Sequence, residues 1–180
     1  LLGSIISGFF GKHLGAKLCQ VLTSLFVLIS AILSFFIFYA VLIENYSSNK
    51  LIFNWISSGD FSVNWSINID PLTSVMLVIV SLISSIIHFY SIGYMSSDPH
   101  KSRFMAYLSL FTFFMLTLVT ADNFLQLYFG WEGVGLCSYL LIGFWYKRPT
   151  ANAAAIKAFI VNRVGDFGFA IGIFLIFFFY

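Results

Sequence analysis

Three ionisable side chains lie inside long apolar stretches of this 180-residue chain. Glu132 is part of FGWEGVGLCSYLLIG, and Arg163 and Asp166 are part of KAFIVNRVGDFGF. Apolar surroundings drive a carboxyl group towards its neutral form, whereas a nearby cation favours the charged form. If that cation moves, the acid takes up and releases a proton. These residue types therefore indicate proton transfer, with proton or cation transport as the function class.

Helical spacing identifies the neighbours of Glu132, because residues four before, three after and seven after share its face. These residues are Tyr128, Gly135 and Tyr139, which offer two hydroxyl groups and a place where another backbone can approach. The alternative is structural: the acid is merely hydrogen-bonded, and the surrounding glycines serve close packing between membrane helices.

Arg163 and Asp166 are three positions apart, so they also share a helical face, with Asn162 four positions before Asp166. One interpretation is a structural pair that neutralises itself. The other is a relay segment that responds to a charge arriving next to it. Lys157 lies just inside the same stretch, where its side chain reaches the interface or turns inward.

His88 lies in SLISSIIHFYSIGYM, close to Ser81, Ser84, Ser85 and Tyr90. Imidazole changes its charge near neutral pH, which suits a proton relay. A histidine that is simply hydrogen-bonded to a neighbour is an equally good interpretation.

Two short motifs lack the context that their chemistry requires. Residues 133–135 begin like a dinucleotide-binding fingerprint, but Ser138 occupies the third glycine position and no strand–turn–helix unit surrounds it. Residues 166–168 match a kinase tripeptide without a glycine-rich loop or a catalytic loop. Cys19 and Cys137 are far apart in apolar surroundings, so no disulfide framework, zinc site or iron–sulfur site is predicted.

The composition excludes a soluble globular protein. Hydrophobic residues make up 60% of the chain and charged residues only 9%, whereas a soluble domain carries roughly 25% charged residues to face water. The net charge of +2 is too small to favour nucleic acid as a partner. The chain is therefore predicted to be an integral membrane protein.

A bilayer core of about 30 Å needs about 20 apolar residues per helix. This rule predicts an all-α, polytopic transmembrane helix bundle. The stretch Leu1–Phe10 is too short to cross and is interpreted as a partial span, which indicates a piece of a longer chain. Five full spans are predicted at Leu18–Ile43, Pro71–Met95, Phe104–Thr120, Asn123–Tyr146 and Ile156–Tyr180.

The loops differ strongly in basic residues. One set contains Lys12, Lys17, Lys101, Arg103, Lys147 and Arg148, and the opposite set contains only Lys50. Short loops rich in Lys and Arg stay in the cytoplasm or matrix, so the first set is predicted to lie there. Residues 44–69 are predicted to form an external cap loop, with a hairpin at Ser58-Gly59-Asp60.

The segments FGWEGVGLCSYLLIGFWY and NAAAIKAFIVNRVGDFGF resemble the subunit 5 family of respiratory complex I, NADH:ubiquinone oxidoreductase. HFYSIGYM and LLGSIISGFFGKHLG are similar to the same antiporter-like family, which multisubunit sodium/proton antiporters share. The resemblance covers essentially the whole chain. It implies the N-terminal portion of a membrane-arm subunit that takes part in proton translocation coupled to NADH:ubiquinone electron transfer. The implied location is the mitochondrial inner membrane, with a bacterial inner membrane as the alternative.

The resemblance also implies residue roles. Glu132 matches an intramembrane glutamate that pairs in the family with a lysine two helices later, beyond residue 180. Arg163 and Asp166 match positions that modulate this pair. The predicted proton pathway combines these residues with those found from spacing: Glu132, Asp166, Arg163, His88, Lys157, Tyr128 and Tyr139.

The expected partners are the other membrane-arm subunits, the remainder of the antiporter-like domain and the lipid bilayer. No redox-catalytic residue, cofactor or metal is expected in this chain, because flavin and iron–sulfur clusters belong to other subunits in the family. Two other functions stay open: a subunit of a sodium/proton antiporter without NADH chemistry, and a structural membrane scaffold. The scaffold predicts tolerance of Glu132→Gln but damage from Gly133→Leu or Gly135→Leu.

Overall fold

The structure is a computed structural model that describes residues 1–44, 46–59 and 61–179. Helices dominate, which confirms the predicted all-α, polytopic membrane fold. The elements in chain order are α1 (Leu2–Phe9), α2 (Gly11–Leu14), α3 (Ala16–Ile43), β1 (Ser48–Ser58), β2 (Phe61–Ile69), α4 (Pro71–Tyr94), α5 (Lys101–Val119), α6 (Phe124–Ile142) and α7 (Pro149–Phe179).

Four helices in the described part of the chain are long and apolar enough to cross a membrane, namely α3, α4, α5 and α7. Helix α6 has 19 residues, as α5 does, but it is not among these four helices. The predicted full spans coincide in order with α3 to α7. A membrane crossing by α6 is therefore still a prediction.

Side-chain caps determine where α4 and α6 begin. Asp70 Oδ1 accepts a hydrogen bond of 2.6 Å from the Thr73 N–H, and Pro71 follows in the first turn, where its missing N–H leaves no helical bond unmade. Asn123 Oδ1 accepts a bond of 2.9 Å from the Gln126 N–H. The second cap places Glu132 near the middle of α6.

Two helices have boundaries that differ from those of the predicted membrane spans. Helix α6 ends at Ile142 rather than at Tyr146, because the chain turns at Gly143 and buries the side chain of Phe144. Helix α7 begins at Pro149 rather than at Ile156, since proline suits a first helical turn and the alanines that follow favour helix. The last residue of that predicted span, Tyr180, lies outside the described residues.

Small polar side chains occupy much of the interior, and large apolar side chains point outward. Ser24 and Ser34 of α3 and Ser74, Ser81 and Ser85 of α4 are buried. The hydroxyls of Ser34, Ser74 and Ser81 bond to carbonyls of the same helix, as Ser81 Oγ does to Leu77 O at 2.6 Å. Small residues let membrane helices approach closely without leaving a polar group in lipid. This arrangement suits a bundle that is surrounded by hydrocarbon.

The predicted cap segment contains a two-stranded antiparallel hairpin. Strands β1 and β2 pair from Ser48 with Ile69 to Ser58 with Phe61. Gly59 turns the chain with φ +59°, a conformation that glycine adopts without strain. Asp60, the third residue of the predicted hairpin turn, lies outside the described residues.

The hairpin is attached to the junction between α5 and α6. Gln126 exchanges two hydrogen bonds with the Ser66 backbone, accepting at 3.2 Å and donating at 2.8 Å. The Asn68 N–H donates to Thr120 O at 3.1 Å. The cap therefore covers the end of the bundle where α6 begins.

The opposite end of the bundle carries the basic residues. There the Arg103 guanidinium donates to Phe144 O at 3.0 Å, which joins the start of α5 to the α6–α7 connection. The Ser7 hydroxyl donates to Ser102 O at 2.7 Å and joins α1 to α5. The six basic residues that the sequence assigns to one side belong to this end, and Lys50 belongs to β1.

Candidate functional site

An ion pair connects the middle of α6 to α7. Arg163 Nη1 lies 2.6 Å from Glu132 Oε1 and 2.7 Å from Oε2. The Tyr128 hydroxyl donates to the same Oε1 at 2.7 Å. The Glu132 side chain is 23% exposed and that of Arg163 is 52% exposed. Glu132 is thus neither isolated nor unpaired, and its contact with Tyr128 is the one predicted from helical spacing.

A second carboxylate lies on the other side of Arg163. Asp166 Oδ2 is 3.9 Å from Arg163 Nη1, and Asp166 Oδ1 accepts a hydrogen bond of 2.8 Å from the Trp131 indole. Asp166 is buried, with 5% of its surface exposed. Arg163 therefore pairs with Glu132 across the helices and, at a longer distance, with Asp166 on its own helix.

Trp131 is the residue of this site that sequence reasoning missed. Helical spacing selects side chains on the face of Glu132, and Trp131 precedes Glu132 by one position, so it points to a different side of α6. Its partner Asp166 is 35 positions away. The sequence did contain one indication of this contact, because Trp131 directly precedes the intramembrane acid. An indole N–H is a donor that usually finds a partner when buried.

Helix α6 presents different faces to its two neighbours. A Cβ at Gly130 would lie 2.7 Å from Leu118 Cα, and a Cβ at Gly133 would overlap the Phe114 ring of α5. A Cβ at Gly135 would lie 3.8 Å from Asn162 Nδ2 of α7, an ordinary contact. Gly130 and Gly133 therefore permit close approach of α5, whereas Gly135 lies on the roomier side that faces α7.

Tyr139 is on the predicted face but does not reach Glu132. Its ring packs against Phe159, with 5.3 Å between the ring centroids. The guanidinium of Arg163 lies 5.0 Å from the centre of the same Phe159 ring. Tyr139 and Arg163 thus both contact the Phe159 ring, and Tyr139 is connected to the Glu132–Arg163 pair through this ring rather than through a hydrogen bond.

Lys157 is exposed near the start of α7. No ion pair joins it to an acid within the 1–44, 46–59 and 61–179 ranges. The structure therefore brings Arg163, and not Lys157, to Glu132.

His88 is fully buried between α4 and α5. Its Nδ1 lies 2.7 Å from Ser84 O and its Nε2 lies 3.1 Å from Ser109 Oγ. A carbonyl accepts only, so Nδ1 carries a hydrogen and donates to Ser84 O, whereas the Ser109 hydroxyl is able either to donate to Nε2 or to accept from it. The Ser84 hydroxyl continues the chain to Thr112. This network lies apart from Glu132.

Two parts of the chain match known protein families. Residues 55–105 match the family described as NADH-Ubiquinone oxidoreductase (complex I), chain 5 N-terminus. Residues 121–180 match the family described as NADH:quinone oxidoreductase/Mrp antiporter, TM. The first match includes His88, and the second includes Glu132, Arg163 and Asp166.

Individual relatives agree with these matches. The chain is 55% identical over 177 residues to NADH-ubiquinone oxidoreductase chain 5 of Chondrus crispus and 58% identical over 174 residues to that of Triticum aestivum. It is 51% identical over 179 residues to NADH-quinone oxidoreductase subunit L of Rickettsia bellii. The chain belongs to the chain 5/subunit L family. The aligned regions cover 98%, 97% and 99% of this chain but only 27%, 26% and 28% of the three relatives.

The two cysteines of this chain 5/subunit L member are buried and free. In the part of the chain that the structure describes, no three His, Cys, Asp or Glu residues form a group that would hold a metal ion. Within the described membrane helices, Glu132, Arg163 and Asp166 form a cluster of charged side chains.

Outside the membrane helices, Asp98 connects two loops of the chain 5/subunit L bundle. It accepts hydrogen bonds from the His100 N–H at 2.7 Å and from the Trp145 indole at 3.0 Å. Partial burial raises the pKa of Asp98, but these two bonds and the charges of His100 and Arg103 outweigh it and lower the pKa below its usual value. The ionised carboxylate thus joins the α4–α5 loop to the α6–α7 connection.

Proposed function

We propose that this chain is the N-terminal portion of a membrane-arm subunit of respiratory complex I in the mitochondrial inner membrane. In this proposal the subunit takes part in proton translocation coupled to NADH:ubiquinone electron transfer. The relatives named above are NADH-ubiquinone and NADH-quinone oxidoreductase subunits, and four helices are suited to a membrane. Its partners are the other membrane-arm subunits and the remainder of its own domain, while flavin and iron–sulfur clusters in other subunits carry the electrons.

The Glu132–Arg163 pair is the observation that supports proton translocation. Glu132, Arg163 and Asp166 together carry one more negative than positive charge, so uptake of one proton makes the cluster neutral. When Arg163 leaves Glu132 for Asp166, the unpaired carboxylate in apolar surroundings takes up a proton. When Arg163 returns, Glu132 releases that proton, with the Tyr128 hydroxyl as its first hydrogen-bonded neighbour.

The remaining residues of the predicted pathway take more distant roles in this proposal. Tyr139 accepts and donates a proton that moves towards the basic end of the bundle, and water connects its hydroxyl to Glu132. His88 with Ser84 and Ser109 is a separate hydrogen-bonded relay between α4 and α5. Lys157, which is exposed, contributes its charge at the interface.

The match of residues 55–105 to the complex I chain 5 N-terminus favours complex I over a sodium/proton antiporter. The distinguishing measurement is co-purification of the full-length subunit from its native membrane. Recovery together with flavin-containing and iron–sulfur subunits supports complex I. Recovery of a complex that lacks both overturns the assignment.

Glu132→Gln in the assembled complex tests the proton-translocation role. Glutamine keeps the shape of the side chain and one acceptor oxygen but cannot take up or release a proton, so we expect proton pumping per NADH oxidised to fall sharply while assembly is retained. Glu44→Gln is the matched control, because Glu44 is exposed at the end of α3. Normal pumping in a normally assembled Glu132→Gln complex removes Glu132 from the pathway.

A further inference from the structure

A cavity of about 480 Å³ opens at the basic end of the bundle, between α5, the end of α6 and the start of α7. Its polar lining includes Arg103, Tyr107, Tyr146 and Asn152 together with Tyr139 of the proposed proton pathway, and no carboxylate contributes to the lining within the described residues. Lys147 and Arg148 follow directly in the α6–α7 connection. The chemistry of the cavity therefore favours an anion.

Arg103 is fixed at the edge of this cavity with an unused donor. Its Nη2 donates to Phe144 O at 3.0 Å, and its Cζ lies 4.7 Å from the centre of the Phe144 ring and 5.4 Å from that of Tyr146. The Nε–H is buried and has no hydrogen-bond partner among the described residues. This buried nitrogen is closed to the cavity, whereas the rest of the guanidinium, held in place by the carbonyl and the two rings, is suited to the oxygens of a phosphate group.

An apolar track leads away from the cavity along α7. Ile156 lines the cavity, and Ile160 and Val164 follow at four-residue intervals, which places all three on one helical face. Their exposed fractions are 52%, 57% and 72%. A soluble anion would leave this apolar surface uncovered, whereas an acyl chain attached to the anion would cover it.

We propose that this cavity binds the phosphate of an anionic phospholipid. Arg103 binds the phosphate oxygens, Tyr107, Tyr146 and Asn152 supply further polar contacts to the headgroup, and an acyl chain lies along Ile156, Ile160 and Val164. Basic pockets between helices on the matrix or cytoplasmic side of a membrane are suited to such headgroups. The inference goes beyond the proposed proton translocation and does not depend on it.

The test uses the whole complex with the full-length subunit in phosphatidylcholine vesicles that contain a photoactivatable phosphatidylglycerol. Cross-linked peptides are identified by mass spectrometry. We expect labelling of the peptides that contain Tyr107 and Ile156, and a loss of roughly tenfold in Arg103→Gln, which removes a charged hydrogen-bond donor. Arg148→Gln is the control, because Arg148 lies at the same end, 5.4 Å from the Trp145 ring, but does not line this cavity.

Competition in the wild-type complex keeps the proposal testable if Arg103→Gln does not assemble. Unlabelled phosphatidylglycerol is expected to displace the probe, and inorganic phosphate is not. Displacement by inorganic phosphate would identify a free anion as the ligand and overturn the lipid assignment. Equal labelling by a photoactivatable phosphatidylcholine, or unchanged labelling in Arg103→Gln, overturns the proposal as well.

Discussion

The indole nitrogen of Trp131 lies 2.8 Å from Asp166 Oδ1, which joins α6 to α7 directly beside the Glu132–Arg163 pair. This bond holds one oxygen of Asp166 and leaves the other, Oδ2, 3.9 Å from Arg163. Arg163 is therefore positioned between an acid that it binds and an acid that is held in place nearby. The orientation of Asp166 decides how readily the guanidinium moves from one to the other.

Trp131→Phe should slow proton pumping without preventing assembly. The ring keeps its packing against Phe169, but the hydrogen-bond donor to Asp166 is lost. The Asp166 carboxylate is then free to turn, which changes its competition with Glu132 for Arg163. A hydrogen bond to a charged group contributes about 1.5–3 kcal/mol, so we expect a roughly tenfold lower pumping rate. The measurement is the initial rate of proton uptake during NADH oxidation by vesicles that contain the complex.

Trp145→Phe is the matched control for this substitution. Trp145 also donates its indole N–H to an aspartate, Asp98, at 3.0 Å, but in an exposed loop. Equal losses of pumping in both variants would show that the effect of Trp131→Phe is not specific to the Arg163 pair.

Arg163→Gln should destabilise the membrane bundle, and adding Glu132→Gln should restore most of the loss. Removing only the cation leaves a carboxylate without a charged partner. The cost for a fully buried pair is roughly 3–5 kcal/mol, and since this pair is partly exposed we expect about 1–2 kcal/mol. Thermal unfolding of the complex measures this, and the double variant should unfold near the wild-type temperature while pumping remains lost. Additive destabilisation in the double variant would contradict the pairing.

Gly133→Ala and Gly135→Ala should differ although the two glycines are two positions apart. A methyl group at Gly133 overlaps the Phe114 ring, and overpacking typically costs 1–3 kcal/mol. A methyl group at Gly135 finds its nearest neighbour at 3.8 Å, so this variant should assemble normally. Native gel electrophoresis of the complex provides the comparison. Similar yields for both variants would show that α5 does not pack on α6 as closely as described.

The loop contact made by Asp98 should weaken in acid. The pKa of Asp98 is lowered in the folded protein, so its contribution is present above the usual carboxyl value of about 3.9 and is lost as the pH falls through the lower folded value. Hydrogen exchange of the peptide that contains Asp98 and His100 should accelerate below that pH. Asp98→Asn should show the faster exchange at every pH, and a pH-independent wild type would exclude this role.

The sequence predicted the parts of the site that depend on composition and local periodicity. The position of Glu132 in the middle of an apolar helix and its contact with Tyr128 four positions earlier follow from these rules. The choice of Arg163 as the closest cation depends instead on how α7 packs against α6, which helical spacing within either segment does not contain. The same limit explains why Trp131 was missed and why Tyr139 was expected nearer to Glu132.

The ends of α6 and α7 show a related limit. The span predicted from hydropathy ran to Tyr146 because the residues after Gly143 are aromatic. In the structure, Phe144 packs against Arg103 and Phe104 instead of continuing the helix. Hydropathy also delayed α7 to Ile156, since the segment after Pro149 is less apolar although it is strongly helical. Membrane spans and helices have different boundaries when a helix extends beyond the lipid.

The glycine contact between α5 and α6 also has a mechanical consequence. Because the Phe114 ring occupies the space beside Gly133, these two helices form a stiff pair with little freedom to slide. Helix α7 has open space beside Gly165, Gly168 and Gly172 and meets the pair through side chains rather than through a close backbone contact. Any rocking that changes the distance between the Arg163 guanidinium and Glu132 therefore belongs to α7, and Asp166 moves together with the arginine because both residues lie on that helix.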